Sequence, residues 1–282
     1  MAETYAVEMR GITKTFGSVV ANHDIDLDLR RGEILALLGE NGSGKTTLMN
    51  MLSGIYAPDA GSILVEGRPV AIKSPEDAKR LGLGMVHQHF KLVDVFSAAD
   101  NIWMGREKAG FLLKKDRYEQ VADMAKRFGF DLDPRKQVRN MSVSEKQTLE
   151  IVKVLYYGAK VIILDEPTAV LTEQEFRRLF DVLRRMKEEG HSIIIITHKL
   201  NEVMEISDRV AILRKGEHIT TVNTAETTEQ ELTTPNLFAL PTEYHVDLSV
   251  VNTTWNVPPE GPDPDVSDHL RQCDPHHHRA EG

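Results

Sequence analysis

The chain has 282 residues, enough for one large or two modest domains, with the 41% hydrophobic and 27% charged content of an ordinary globular protein. A net charge of −9 and a pI near 5.7 speak against bulk electrostatic attachment to nucleic acid or anionic lipid. Cys273 is the only cysteine, which excludes an internal disulfide framework and fits a reducing compartment.

Met1-Ala2-Glu3-Thr4 lacks the basic flank and apolar core of a signal peptide, and no run approaches the length of a spanning helix. Work at a membrane would therefore need docking onto another subunit. In chain order, Val7-Glu8-Met9-Arg10-Gly11-Ile12 and Ile25-Asp26-Leu27-Asp28-Leu29 alternate apolar and polar residues, as strands with one buried face do. Gly32-Glu33 then turns the chain into the apolar strand Ile34–Leu38.

That strand enters Gly39-Glu40-Asn41-Gly42-Ser43-Gly44-Lys45-Thr46, and a helix-forming run from Thr47 to Leu52 follows. The spacing is that of a phosphate-binding loop. A triphosphate needs a ring of backbone N–H donors, and Gly39, Gly42 and Gly44 let the main chain curl closely enough to supply it. Lys45 can reach the β- and γ-phosphates, Thr46 can ligate Mg²⁺, and the helix points its positive end at the same anion. Asn41, Ser43 and Thr47 complete the expected phosphate shell.

Ser62-Ile63-Leu64-Val65 reads as a further strand, and Ser74-Pro75-Glu76-Asp77 as a helix start with a capping serine and a proline at the first helical position. Gly84-Met85-Val86-His87 leads to Gln88 at another strand end, where its amide could sense Mg²⁺ or water. Helical periodicity runs from about Lys115 to Tyr157, with Tyr118, Val121, Met124, Ala125 and Phe128 on one face and Pro134 as an interruption.

The continuous run Val161-Ile162-Ile163-Leu164 predicts a buried parallel strand, and Thr172-Glu173-Gln174-Glu175 a capping box that opens a helix to Glu189. Gly190 ends that helix, and Ile193–Ile196 forms the next buried strand. Alternating strands and helices imply an α/β fold with ligand at the carboxyl ends of its strands. Asp165 and Glu166 close the first of these strands, Asp165 suited to the Mg²⁺ shell and Glu166 to polarising a water. His198 follows the second strand through Thr197 and would point at the γ-phosphate. His87 and His89 could suggest a metal pair, but further ligands at suitable spacing are lacking, which makes it the minor reading.

Five motifs in order, the loop Gly39–Thr46, Gln88, Met141-Ser142-Val143-Ser144-Glu145-Lys146-Gln147, Asp165-Glu166-Pro167-Thr168 and His198, resemble those of ABC transporter ATPase domains over roughly Tyr5 to Leu232. The resemblance implies a P-loop NTPase fold with an antiparallel β subdomain and a helical subdomain at about 91–157. It implies ATP and Mg²⁺ as cofactors, with Phe16 stacking on adenine. Gln88 would lie in the loop that touches transmembrane permease subunits. Ser142, Ser144 and Gln147 would complete the ATP site of a second ATPase domain, so that ATP is sandwiched between two domains. Val86-His87-Gln88-His89-Phe90 and Glu166-Pro167-Thr168-Ala169-Val170-Leu171-Thr172 look like the nucleoside and simple-sugar importers, a resemblance that implies a subunit at the cytoplasmic face of the plasma membrane, peripheral through the permease subunits, working with a solute-binding protein.

Two departures stand out. The usual fourth signature residue is glycine, here Ser144, and the usual following arginine is Thr148, so ATP binding is the safer expectation than fast hydrolysis. Importers of this group also carry two fused ATPase domains, whereas here the resemblance stops near Thr233. Seven of the twelve prolines lie between Pro235 and Pro275, no lysine follows Lys215, and His276-His277-His278 stands near the end. The expected division is therefore a domain at 1–233 and a disordered or non-native tail at 234–282. Besides the importer ATPase, the sequence leaves open an ATP-binding regulatory or assembly module with little turnover. A soluble ABC protein acting on ribosomes or DNA fits the acidic composition less well.

Overall fold

The computed structural model describes residues 4–104 and 114–233. The expected tail at 234–282 lies outside the described residues, as does part of the expected helical stretch. Two long strands, β1 (Tyr5–Phe16) and β2 (Val19–Arg30), form a hairpin, followed by β3 (Ile34–Leu38) and α1 (Lys45–Leu52). Then come β4 (Ala60–Val65), β5 (Arg68–Val70), α2 (Pro75–Arg80) and β6 (Leu83–Val86). Three helices follow, α3 (Ala98–Trp103), α4 (Lys114–Arg127) and α5 (Val143–Tyr156). The rest alternates β7 (Val161–Asp165), α6 (Glu173–Glu188), β8 (Ser192–Thr197), α7 (Leu200–Ile206), β9 (Arg209–Arg214), β10 (Glu217–Asn223) and α8 (Glu229–Thr233).

Among the described residues the strands make two sheets. An antiparallel sheet has the order β2-β1-β4-β5, and a second sheet has the order β10-β9-β3-β8-β7-β6, parallel throughout except for β10. Every residue of β3, β7 and β8 is buried, as parallel strands covered on both faces require. Side chains along β8 alternate between two cores because successive residues on a strand face opposite ways. Ile194 and Ile196 join Leu35, Leu37 and α1 under the antiparallel sheet, while Ile193 and Ile195 join Phe180, Leu183 and Met186 of α6.

The helices α3, α4 and α5 share their own core of Ile102, Trp103, Val121, Ala125, Leu149 and Val152. These helices are the helical part of the fold that the resemblance implied, and the helix starts at Ser74, Ser142 and Thr172 are all capped by their own side chains. Strand β3 lies between β8 and β9, so the loop leaving it opens at the carboxyl edge of the sheet beside the ends of β7 and β8. That placement collects the chemistry.

The two sheets are tied by one buried ion group. Arg209, at the start of β9, donates from Nε to Glu33 Oε1 at 2.6 Å and from its terminal nitrogen to Asp28 Oδ2 at 2.5 Å, bridging the parallel sheet to β2. Burial opposes the guanidinium charge, but the bonds to Glu33 and Asp28 more than offset it and hold the Arg209 pKa above the usual arginine value. Replacing Arg209 by Met leaves Glu33 buried and unpaired. The expected cost is about 3–5 kcal/mol, read as a lower urea midpoint at unchanged m-value.

Candidate functional site

The loop between β3 and α1 is shaped by two glycines that admit no side chain. A Cβ on Gly39 would meet the Leu213 carbonyl oxygen and the Ser43 hydroxyl. At Gly44, φ is +96° and a Cβ would meet the Ala21 carbonyl and the Asn22 side chain. Lys45 is buried and donates to the carbonyls of Gly39 at 2.7 Å and Glu40 at 2.9 Å. Burial holds its pKa below the ordinary lysine value, against the opposing pull of Glu166 and Asp165. The Ser43 hydroxyl is buried with no hydrogen-bond partner among the described residues, a donor of the kind a phosphate oxygen would satisfy.

Facing this loop are the ends of β7 and β8. Thr46 hydrogen-bonds the Asp165 carboxylate, whose pKa is raised first by burial and then by the charge of Glu166. Glu166 adopts φ +50°, an uncommon left-handed conformation for a residue with a Cβ. Its N–H is held by the Ile196 carbonyl at 2.9 Å, and its Oε1 lies 2.8 Å from His198 Nδ1, an imidazole N–H donating to a carboxylate. Two carboxylates and a threonine hydroxyl form a set of hard oxygen donors that suits Mg²⁺.

The structure thus brings Asn41, Gly42, Ser43, Gly44, Lys45, Thr46, Thr47, Gln88, Asp165, Glu166 and His198 to one cleft of about 560 Å³. It leaves five other expected residues outside the lining of that cleft: Gly39, Phe16, Ser142, Ser144 and Gln147. Ser142, Ser144 and Gln147 line a second hollow of about 510 Å³ between the start of α5 and α6. There Ser142 caps α5, Ser144 donates to the Glu175 carboxylate, and Gln147 turns inward so that its amide donates to the Pro167 carbonyl. Phe16 does not line the cleft either. Its ring packs edge-on against Tyr56, centroids 5.1 Å apart, and it pairs across the hairpin with Val19, which does line the cleft.

Sequence reading missed the group that braces the ends of β7 and β8. Glu202, on α7 and only 3% exposed, accepts hydrogen bonds from the hydroxyls of Thr168 and of Thr197, the latter at 3.1 Å, and pairs with Lys199 at 3.0 Å. The one available signal was an acid on the apolar face of a helix. Ala21, Lys215 and Gly216 also escaped notice, because they reach the cleft from β2 and from the turn between β9 and β10, as did Asn22 of β2, which does not line the cleft but donates to the Gly44 carbonyl.

The family model described as ABC transporter matches residues 22–169. The nucleoside import ATP-binding protein NupA of Lactococcus lactis is 45% identical over 234 residues, covering 82% of this chain and 46% of that protein. The guanosine import ATP-binding protein NupO of Bacillus subtilis is 48% identical, covering 81% of this chain and 45% of that one. The ribose import ATP-binding protein RbsA 1 of Rubrobacter xylanophilus is 47% identical, with 74% and 42% covered. This chain therefore spans about half the length of the curated relatives it matches.

Among solved structures, a cassette from Clostridium perfringens, cbiO1 of the cbiONQ transporter complex, superposes with TM-score 0.70 at 28% identity, covering 84% of this chain and 98% of that one. A nucleotide-free ATP-binding cassette matches with TM-score 0.74 at 20% identity, covering 83% and 97%, which bears on the fold alone.

The strained charge at Asp165 gives a direct test. Because its folded pKa is raised, the ionised carboxylate costs stability above that pKa, and the cost disappears below the ordinary value of 3.8. Asp165→Asn is expected to stabilise the nucleotide-free chain at neutral pH by roughly 1 kcal/mol. The gain should vanish when unfolding is followed at pH values below the ordinary carboxylate range.

Proposed function

The chain belongs to the ABC transporter family, and on that premise we propose that it binds and hydrolyses ATP to power an importer for nucleosides or simple sugars. The observation that carries this reading is the Glu166 carboxylate, braced by His198 and facing the loop Gly39–Thr46 in one cleft. The names of its relatives favour nucleosides, with ribose and related sugars next. Solute selection would lie with the transmembrane permease subunits and a solute-binding protein, not with this chain.

Glycine-shaped backbone and Lys45 would hold the triphosphate, and Phe16 would cover adenine at the rim. Thr46 and Asp165, with Gln88 at the end of β6, would hold Mg²⁺, which when bound screens phosphate charge. Glu166 would take a proton from the attacking water at its carboxylate, and His198, bonded to that carboxylate, would orient it. The left-handed turn at Glu166 fits this role, because strain of about 1–2 kcal/mol persists only where the surroundings over-determine it.

Ser142 and Ser144 would meet the ATP of a second cassette, either another copy or a fused half. Peripheral attachment at the cytoplasmic face would then run through the permease. Among the described residues no helix is long and apolar enough to cross a membrane.

Glu166→Gln keeps the shape and hydrogen bonding of the side chain but removes the base. Steady-state Mg-ATP hydrolysis should fall by on the order of 10²–10⁴, while the Kd for Mg-ATP measured by calorimetry stays within a few-fold. Equal turnover in both proteins would sink the assignment. With the permease subunits present in vesicles, hydrolysis should rise on adding a nucleoside-loaded binding protein, and a response to ribose alone would move the reading to sugars.

A further inference from the structure

The outer face of the phosphate loop is held by residues that no motif contains. In a trans peptide the C=O and the next N–H point to opposite sides, so whatever holds the carbonyl decides where the N–H is aimed. The Ser43 carbonyl accepts from the Gly216 N–H at 3.2 Å, and the Gly44 carbonyl accepts from Asn22 Nδ2 at 3.2 Å beside the Leu48 N–H of α1 at 2.9 Å. Gly216 and Asn22 stand outside the loop. With those two carbonyls drawn outward, the N–H groups of Gly44 and Lys45 are turned the other way, towards the cleft these residues line.

The fit around Asn22 is close. The segment Ala21–His23 of β2 threads between two glycines in the left-handed region, Gly44 at φ +96° and Gly216 at +83°. A Cβ on Gly44 would meet both the Ala21 carbonyl and the Asn22 amide, and one on Gly216 would lie 2.9 Å from the Ala21 carbonyl. The His23 N–H completes the clasp by donating to the Gly216 carbonyl at 2.7 Å.

Asn22 is an expensive residue for this place. It is fully buried on a strand, and its Oδ1 has no hydrogen-bond partner among the described residues. A buried acceptor without a partner destabilises a fold, and an apolar side chain of similar volume avoids that penalty. Stability alone would select leucine, and the one hydrogen bond its side chain makes among the described residues is to the phosphate loop.

We propose that Asn22 is a positioning residue of the triphosphate site, fixing the Gly44 carbonyl so that the Lys45 N–H faces the phosphates. This inference rests on the reading of Gly39–Thr46 as an ATP site. It separates stability from binding in a way a packing residue would not.

The test compares wild type, Asn22→Leu and Lys45→Ala by calorimetric Mg-ATP binding and by thermal unfolding without nucleotide. Asn22→Leu is expected to unfold at the same or a higher temperature, yet bind Mg-ATP about tenfold more weakly. Should the leucine variant not fold, Asn22→Ser is measured against the same binding threshold. A leucine or serine variant that binds within twofold of wild type, while Lys45→Ala loses binding, overturns the inference and leaves the ATP site standing. A wild type that does not bind Mg-ATP, or a Lys45→Ala variant that binds unchanged, overturns the site and the inference together.

Discussion

A backbone can gather N–H groups around an anion only where the carbonyls that alternate with them find partners elsewhere. Four carbonyls of this loop have one. Lys45 Nζ takes those of Gly39 and Glu40, the Ser43 N–H shares that of Glu40, Gly216 takes that of Ser43, and Asn22 with the Leu48 N–H takes that of Gly44. The partners come from the loop itself, from α1, from β2 and from the turn after β9. The antiparallel sheet is therefore part of the phosphate site, although none of its residues belongs to the loop motif. The Arg209 ion group matters for the same reason, since it fixes β2 against β9 at the opposite end of that contact.

The other wall of the cleft holds strain rather than relieving it. Asp165 and Glu166 are adjacent acids, one with its pKa pushed up by burial and by its neighbour's charge, the other in a left-handed turn. Neither feature helps folding. Both persist because the segment is pinned on each side: the Ile196 carbonyl holds the Glu166 N–H, and Glu202 behind it binds Thr168 and Thr197 at once. A buried acid whose oxygens meet two hydroxyls and an ammonium is satisfied. The rigidity lies in α7, and the exposed consequence is the orientation of Glu166 and His198.

What could be read in the sequence was local. The loop motif, the capping serine at Ser74, the capping box at Thr172, and the alternating or continuous apolar runs are relations between residues close in the chain, and the structure places each where its pattern implied. The bracing contacts join residues far apart in the chain: Asn22 to Gly44, Gln147 to Pro167, Thr168 to Glu202, Glu33 to Arg209. No spacing rule marks such pairs. Phe16 shows the same limit from the other side, for its aromatic character was legible but its partner Tyr56, across the turn after α1, was not.

The two hollows that divide the expected site residues are joined by one segment. Glu166 faces the phosphate cleft, Pro167 accepts the bond from Gln147 of α5, and Thr168 is bound to Glu202. Ser144, one turn before Gln147 on the same helix, lies in the second hollow and is bound to Glu175 on α6. The start of α5 is thus tied to the residue following the proposed base by a buried hydrogen bond, not by a mobile surface. On the proposed reading, a second cassette pressing on Ser142 and Ser144 would act on a helix already coupled to Glu166. On the same reading Ser144 would alter what a neighbouring cassette meets, whereas the Gln147–Pro167 bond, through which that contact would reach this chain's own cleft, is present.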